Sequence, residues 1–156
     1  FVDQAGKNSK IYDTRKTTQL LRELEKYAVR CGGGYNHRLN LSDMVLIKDN
    51  HLKITEFLDA EKIRKTGKKI EIEAANFEQV KEFLKLKPDI LMLDNMDFEL
   101  MKKCINYIRG QSKCEIEVSG NVNLNTVKKI ASLKPDRISV GKITHSAPAL
   151  DISLEF

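Results

Sequence analysis

Short runs of β-branched and other apolar residues recur along the chain and alternate with segments whose apolar positions fall three and four apart. The runs predict strands over Lys10 to Asp13, Met44 to Ile47, Ile70 to Ala74, Ile90 to Leu93, Glu115 to Val118 and Arg137 to Val140. The periodic segments predict helices near Thr18 to Arg30, Ile54 to Lys65, Phe77 to Leu86, Phe98 to Ile108 and Leu124 to Leu133. In the third helix Phe77, Val80, Phe83 and Leu84 share one stripe; in the fifth Leu124, Val127, Ile130 and Ala131 do the same. Asn76 and Asn123 stand where N-caps belong. The stretch Leu86-Lys87-Pro88-Asp89-Ile90 is echoed by Leu133-Lys134-Pro135-Asp136-Arg137, each leading from a helix into a strand. Alternation of this kind predicts an α/β fold with a parallel sheet. About six strands fall short of the eight of a closed barrel, so a single domain over 1–156 is expected, an incomplete barrel or an open sheet.

The polar positions break that pattern informatively. Strands of a parallel sheet are buried on both faces and should read as unbroken apolar runs. Yet Ile70-Glu71-Ile72-Glu73 and Cys114-Glu115-Ile116-Glu117 each place two carboxylates on one face of a strand. An unpartnered carboxylate in a dry core costs several kcal/mol, so these acids call for cations, a metal or water. Arg15, Lys16, Lys48 and Lys142 follow strand ends and are the candidate partners. Ligands of parallel α/β folds bind beyond the carboxyl ends of the strands, where Arg15, Lys48, Glu73, Asp94, Ser119 and Gly141 fall. Cations distant in sequence would thus meet in a pocket for anions. Ser119-Gly120-Asn121 and Val140-Gly141-Lys142 leave neighbouring strands through small residues that suit a phosphate cradle. Gly32-Gly33-Gly34 follows a helix rather than a strand and reads as a helix stop. His51 and His145 lie near strand ends, where a lone histidine is more often structural than a ligand.

Composition narrows the classes. With 156 residues, 41% apolar and 31% charged, the chain is globular and long enough for a real core. It has no apolar run of the ~18 residues a membrane span needs and no signal-peptide pattern, so it reads as soluble and cytoplasmic, with no membrane partner. Phe1 in place of Met suggests that something has been removed upstream. The charge of +5 raises nucleic acid as a partner, but with no Trp, 6% aromatics and lysines on polar helix faces, solvated surfaces account for it better. Cys31, Cys104 and Cys114 lack the spacing of a zinc site or disulfide framework and read as reduced thiols.

Several stretches taken together resemble quinolinate phosphoribosyltransferase: Asp13-Thr14-Arg15-Lys16-Thr17-Thr18, Gly32-Gly33-Gly34-Tyr35-Asn36-His37-Arg38, Leu46-Ile47-Lys48-Asp49-Asn50-His51, Leu93-Asp94-Asn95-Met96 and Thr144-His145-Ser146-Ala147-Pro148-Ala149-Leu150-Asp151. The resemblance runs from about Lys10 to the end and implies a TIM-like, incomplete α/β barrel. It further implies a magnesium-dependent pentosyltransferase of NAD biosynthesis that joins quinolinate to phosphoribosyl pyrophosphate, yielding nicotinate mononucleotide, pyrophosphate and carbon dioxide. Carried over by position, Thr14, Arg15, Lys16, His37, Arg38 and Lys48 would hold quinolinate. Glu73 and Asp94 would face the ribose and the Mg2+, with Glu117 a third acid; Lys48, Glu73 and Asp94 would serve the chemistry. Ser119, Gly120, Asn121, Gly141, Lys142, Ile143 and His145 would line the 5'-phosphate.

The chain departs from the family where Gln19-Leu20 replaces Pro-Gly, where Asn121 stands for a second Gly, and where Lys142 stands for a small apolar residue. Nothing in it corresponds to the family's N-terminal sandwich domain, which lends an arginine to the neighbouring subunit's site. The implied partners are therefore that missing domain and a second subunit in a homodimer or higher homo-oligomer, and the chain alone is expected to be weakly active or inactive. Competing readings are a nicotinate phosphoribosyltransferase or related paralogue, a basic nucleic-acid-binding module, and a fragment with a vestigial pocket.

Overall fold

The computed structural model describes residues 1–48 and 60–155. In chain order its elements are α1 (Val2–Ala5), β1 (Lys10–Tyr12), α2 (Arg22–Cys31), β2 (Val45–Ile47), α3 (Ala60–Arg64), β3 (Ile70–Ala74), α4 (Phe77–Leu84), β4 (Ile90–Asp94), α5 (Phe98–Gln111), β5 (Glu115–Ser119), α6 (Val127–Ala131), β6 (Arg137–Ser139) and α7 (Lys142–His145). The six strands form one parallel sheet in the order β1-β6-β5-β4-β3-β2, with no hydrogen-bonded closure between β1 and β2. Beside β1 the chain at Tyr35 adds an isolated parallel bridge to Tyr12. The predicted α/β fold with an unclosed barrel-like sheet is what the chain adopts.

Pairing register separates the two faces of the sheet. The row Ala74, Leu93, Val118, Ile138 and Ile11 crosses five strands with every member buried, and it belongs to the core beneath the helices. One residue back, the row Glu73, Met92, Glu117, Arg137 and Lys10 crosses the same strands with four ionisable groups. Alternate side chains of a strand point to opposite faces, so the apolar row must face the helices and the charged row must face away from them. Val80, Phe83, Met101, Cys104, Ile105, Ile108, Val127 and Ile130 supply the helical side of the core.

The echoed Leu-Lys-Pro-Asp stretches are one structural unit used twice. Lys87 (φ 51°) and Lys134 (φ 56°) take the left-handed conformation that ends a helical turn. The following proline cannot continue the helix, and the aspartate then serves a neighbouring strand. Asp89 Oδ2 accepts the Ile70 N–H and Asp136 Oδ2 accepts the Ile116 N–H, both at 2.7 Å. Each strand start is thereby satisfied by the turn that precedes the next strand in space.

Helix boundaries differ from the sequence reading for local reasons. Helix α2 starts at Arg22 rather than Thr18, because Leu20 is left-handed (φ 66°) and the Thr18 N–H bonds the Glu25 carboxylate at 3.0 Å, which closes a turn. Asn76 caps α4 through the Gln79 N–H, as its position predicts. Asn123 Oδ1 accepts from Asn125 and Thr126, so it caps a turn over 124–126 that feeds a helix running only Val127–Ala131. Asp97 caps α5 through Leu100, a cap the sequence pattern did not single out. Of the helix predicted near Ile54 to Lys65, Ala60–Arg64 is helical, and the part before residue 60 lies outside the described residues, as does His51. The short helices α1 and α7 were not predicted, since four residues are too few to show a periodicity.

Leu93→Ala is expected to lower the unfolding free energy by about 2–5 kcal/mol through loss of buried contact. Asp136→Ala, by orphaning a strand N–H, is expected to lower it by about 1–3 kcal/mol. Urea midpoints of the two variants check both.

Candidate active site

Beyond the carboxyl ends of the strands lies a cavity of about 540 Å³. Leu46 of edge strand β2, Thr14 just past edge strand β1, and Met92 of central β4 all line it, so the sheet curls to bring its two edges round one mouth. This volume is that of a small-molecule site.

Four of its cations come from three separate connections. Arg15 and Lys16 follow β1, Arg38 comes from the segment after α2, and Lys48 follows β2. The Arg15 Nε is buried and has no hydrogen-bond partner among the described residues. Arg38 donates to the Met44 carbonyl at 3.3 Å; burial, and after it the charge of Arg15, lower its pKa. Two guanidiniums that repel each other in a half-buried cleft, one with a donor unmet among the described residues, suit the binding of an anion. Lys48 Nζ reaches Glu73 Oε2 at 3.1 Å.

Beneath the cations lie acids. Glu71 and Glu117 are fully buried, and His37 Nε2 stands 3.1 Å from Glu71 Oε2 and 3.4 Å from Glu117 Oε1, without hydrogen-bond alignment to either. Ser139 donates its hydroxyl to Glu117 Oε1, while both Glu71 oxygens and Glu117 Oε2 lack a donor among the described residues. Burial and then the Glu117 charge push the Glu71 carboxyl up to about 7. Burial lowers the His37 pKa, but the facing Glu117 and Glu71 outweigh it and raise it to about 9. Against a second ring proton stands the Arg38 amide, which donates to Nδ1 at 2.9 Å. An acceptor nitrogen carries no hydrogen, so in this arrangement the single proton is on Nε2, toward the acids. Charging the ring would require the Arg38 amide to turn away.

The far side of the cavity is built from the ends of β4, β5 and β6. Gly120 is left-handed (φ 90°), and a Cβ there would sit 2.3 Å from Asn95 Oδ1, so no larger residue fits. Asn121 (φ 52°) and Asn95 (φ 53°) are also left-handed, and Asn121 Nδ2 donates to Asn95 Oδ1 at 3.2 Å. A Cβ on Gly141 would meet the His145 ring at 2.9 Å. Lys142 completes this side.

Of the residues singled out in the sequence, Thr14, Arg15, Lys16, His37, Arg38, Lys48, Glu73, Asp94, Ser119, Gly120, Asn121, Gly141, Lys142 and His145 all line the cavity. Ile143 does not; its side chain packs against the apolar core. The cations were expected to neutralise the strand acids, and this holds for Lys48 with Glu73 alone. Glu71 and Glu117 face His37, and Glu115 pairs with Arg137 and, at 3.9 Å, with Lys69. Sequence reasoning missed Asn95, Leu46, Met92, Val122 and Ser139 as lining residues. Register would have found Met92, which pairs with Glu73 and Glu117, but Asn95 is exposed only by its left-handed interlock with Gly120.

Two sets of donors suit a cation. One is His37, Glu71 and Glu117, whose ligand atoms lie within 4.8 Å of one another in the buried floor and would take a cation in place of the Nε2 proton. The other is Glu73 and Asp94 at the mouth, hard carboxylate oxygens of the kind magnesium takes.

Residues 1–155 match the family model described as quinolinate phosphoribosyl transferase, C-terminal domain. A probable nicotinate-nucleotide pyrophosphorylase [carboxylating] of Methanocaldococcus jannaschii is 40% identical over 159 aligned residues, covering 96% of this chain and 56% of that protein. The chloroplastic nicotinate-nucleotide pyrophosphorylase of Oryza sativa is 39% identical, covering 93% and 45%. The solved nicotinate-nucleotide pyrophosphorylase of Francisella tularensis superposes with a TM-score of 0.87 at 40% identity, over 97% of this chain and 55% of that one. The chain thus spans about half the length of the relatives it matches. A thiamine phosphate pyrophosphorylase from Pyrococcus furiosus, at 14% identity and a TM-score of 0.54, shares the fold.

Because the folded Glu71 pKa stands above the ordinary value of 4.5, its contribution to stability is complete below about 4.5 and is lost as pH rises through about 7. Glu71→Gln removes this dependence. Relative to wild type, the variant is expected to gain stability between pH 5 and pH 8 in urea titrations, and a pH-independent difference would place Glu71 at an ordinary carboxyl pKa.

Proposed function

The chain belongs to the family of quinolinate phosphoribosyltransferase C-terminal domains, and on that premise we propose that its cavity binds quinolinate and phosphoribosyl pyrophosphate and forms nicotinate mononucleotide, pyrophosphate and carbon dioxide. The observation that carries this reading is the Arg15–Arg38 pair, with its mutual repulsion and the buried, unmet Arg15 Nε. A planar dicarboxylate supplies two charges and flat oxygen pairs, which guanidinium forks bind bidentately. A monocarboxylate would satisfy half of that charge.

The acids opposite suit the other substrate. Glu73 and Asp94 would hold magnesium, which supplies charge neutralisation beside a pyrophosphate. Their own negative charge stabilises an electron-deficient ribosyl carbon as the pyridine nitrogen attacks it. Lys48 pairs with Glu73 at 3.1 Å, and an incoming carboxylate would compete with Glu73 for its ammonium. After carbon dioxide leaves, the same ammonium would stabilise or protonate the electron-rich ring carbon. The left-handed Gly120–Asn121 turn, with Lys142 and His145, would receive the 5'-phosphate, since successive N–H groups in such a turn form an anion nest.

The reaction in full would need a neighbouring subunit to add an arginine, and this chain by itself is expected to be weakly active or inactive. No helix among the described residues is long and apolar enough to cross a membrane, in keeping with work on soluble substrates in the cytoplasm.

Carbon dioxide release from carboxyl-labelled quinolinate, in the presence of phosphoribosyl pyrophosphate and Mg2+, tests the reading against nucleotide formation from nicotinate. Arg38→Ala is expected to weaken quinolinate binding by about 10- to 100-fold, the equivalent of about 1.5–3 kcal/mol of charge-assisted hydrogen bonding. Lys48→Ala is expected to lower turnover; full turnover by that variant would remove Lys48 from the chemistry.

A further inference from the structure

Arg38 and His37 lie on a segment with no helix or strand of its own, yet the aim of both side chains depends on it. What holds the segment is a charge pair outside the cavity. Asp13 and Lys26 are 0% and 2% exposed and meet at 2.5 Å. Asp13 Oδ1 also accepts the His37 N–H at 2.8 Å, and Lys26 Nζ also donates to the His37 carbonyl at 3.0 Å. The pair therefore grips both polar backbone groups of one residue. Asn36 locks the pair from the side, its amide donating to Asp13 Oδ2 at 2.6 Å and to the Lys26 carbonyl at 2.8 Å. Asp13 is itself set by the Tyr35 carbonyl, which accepts its N–H at 3.0 Å beside β1.

We infer that Asp13, Lys26 and Asn36 are positioning residues for the dicarboxylate end of the pocket, acting through the backbone at His37 on the aim of Arg38. This rests on the substrate reading above. Neither Asp13 nor Lys26 lines the cavity. Stability is a poor reason to bury such a pair, since desolvation offsets its attraction and apolar residues of similar volume often do as well. What apolar residues cannot do is hold an N–H and a carbonyl of the same residue at once. The Gly120–Asn121 side shares no hydrogen bond with this clasp among those described, so the two ends of the pocket should respond separately.

The test uses the protein with every domain its organism gives it. Calorimetry with quinolinate and, separately, with ribose 5-phosphate is run on wild type, Lys26→Met and Asn36→Ala, alongside thermal melting. Lys26→Met is expected to weaken quinolinate about 10- to 100-fold, as a misplaced binding group does, and to leave ribose 5-phosphate affinity within about two-fold. Turnover at saturating quinolinate should fall far less than affinity. Asn36→Ala, which removes the lock and keeps the ion pair, should show the same selectivity more weakly, and decides the matter if Lys26→Met does not fold. Unchanged quinolinate binding in a folded variant, or equal loss of both ligands, overturns the inference while leaving the substrate reading intact. A wild type that binds ribose 5-phosphate but not quinolinate overturns both.

Discussion

Each strand of this sheet divides its side chains between two unlike surroundings, and everything else follows from that division. Helices cover one face, so alternate positions must be apolar, and the row from Ala74 through Leu93, Val118 and Ile138 to Ile11 meets the demand without a break. On the other face Glu73, Met92 and Glu117 line the cavity. Curling brings that face round on itself, and the residues between the apolar ones become the walls and floor of a cavity. Period-two alternation thus makes the core and the pocket in one stroke.

The inner face carries more acid than its own structure neutralises. Glu71 and Glu117 share one imidazole, and among the described residues three of their four oxygens lack a donor. Above them the cations show the opposite imbalance, with Arg15 and Arg38 crowding each other and an Arg15 donor unmet among the described residues. A fold maximising its own stability would pair these groups. Here they are held apart by His37 and by the strand ends, in the manner of sites where unmet charge awaits a ligand. The cost is met by a large apolar face and by turns such as those at Asp89 and Asp136, which satisfy strand starts with side-chain oxygens.

The rigidity that keeps the two charge sets apart is local and unequal. On the Gly120 side, three left-handed residues interlock and Gly120 leaves no room for a side chain. On the Arg38 side, a segment without regular structure is clasped by a buried ion pair. The first depends on backbone shape and the second on charge, so the two ends of one pocket are built on different physics.

Much of this was legible in the chain. All six strands are where apolar runs placed them, because burial on the helix face demands apolar residues wherever a strand runs. The acids on β3 and β5 announced a polar inner face, and the cations beyond strand ends announced its mouth. Boundaries of α2 and α6 were misplaced because backbone conformation at Leu20 and a side-chain-capped turn at Asn123 override periodicity. Ile143 went to the core because a single turn of helix after β6 carries its side chain inward. What the chain could not declare was pairing: which acid meets which base. Lys48 with Glu73, His37 between Glu71 and Glu117, and Lys26 on Asp13 are set by distances across the fold. Electrostatic partnership depends on separation and burial, and those exist only once the sheet has curled.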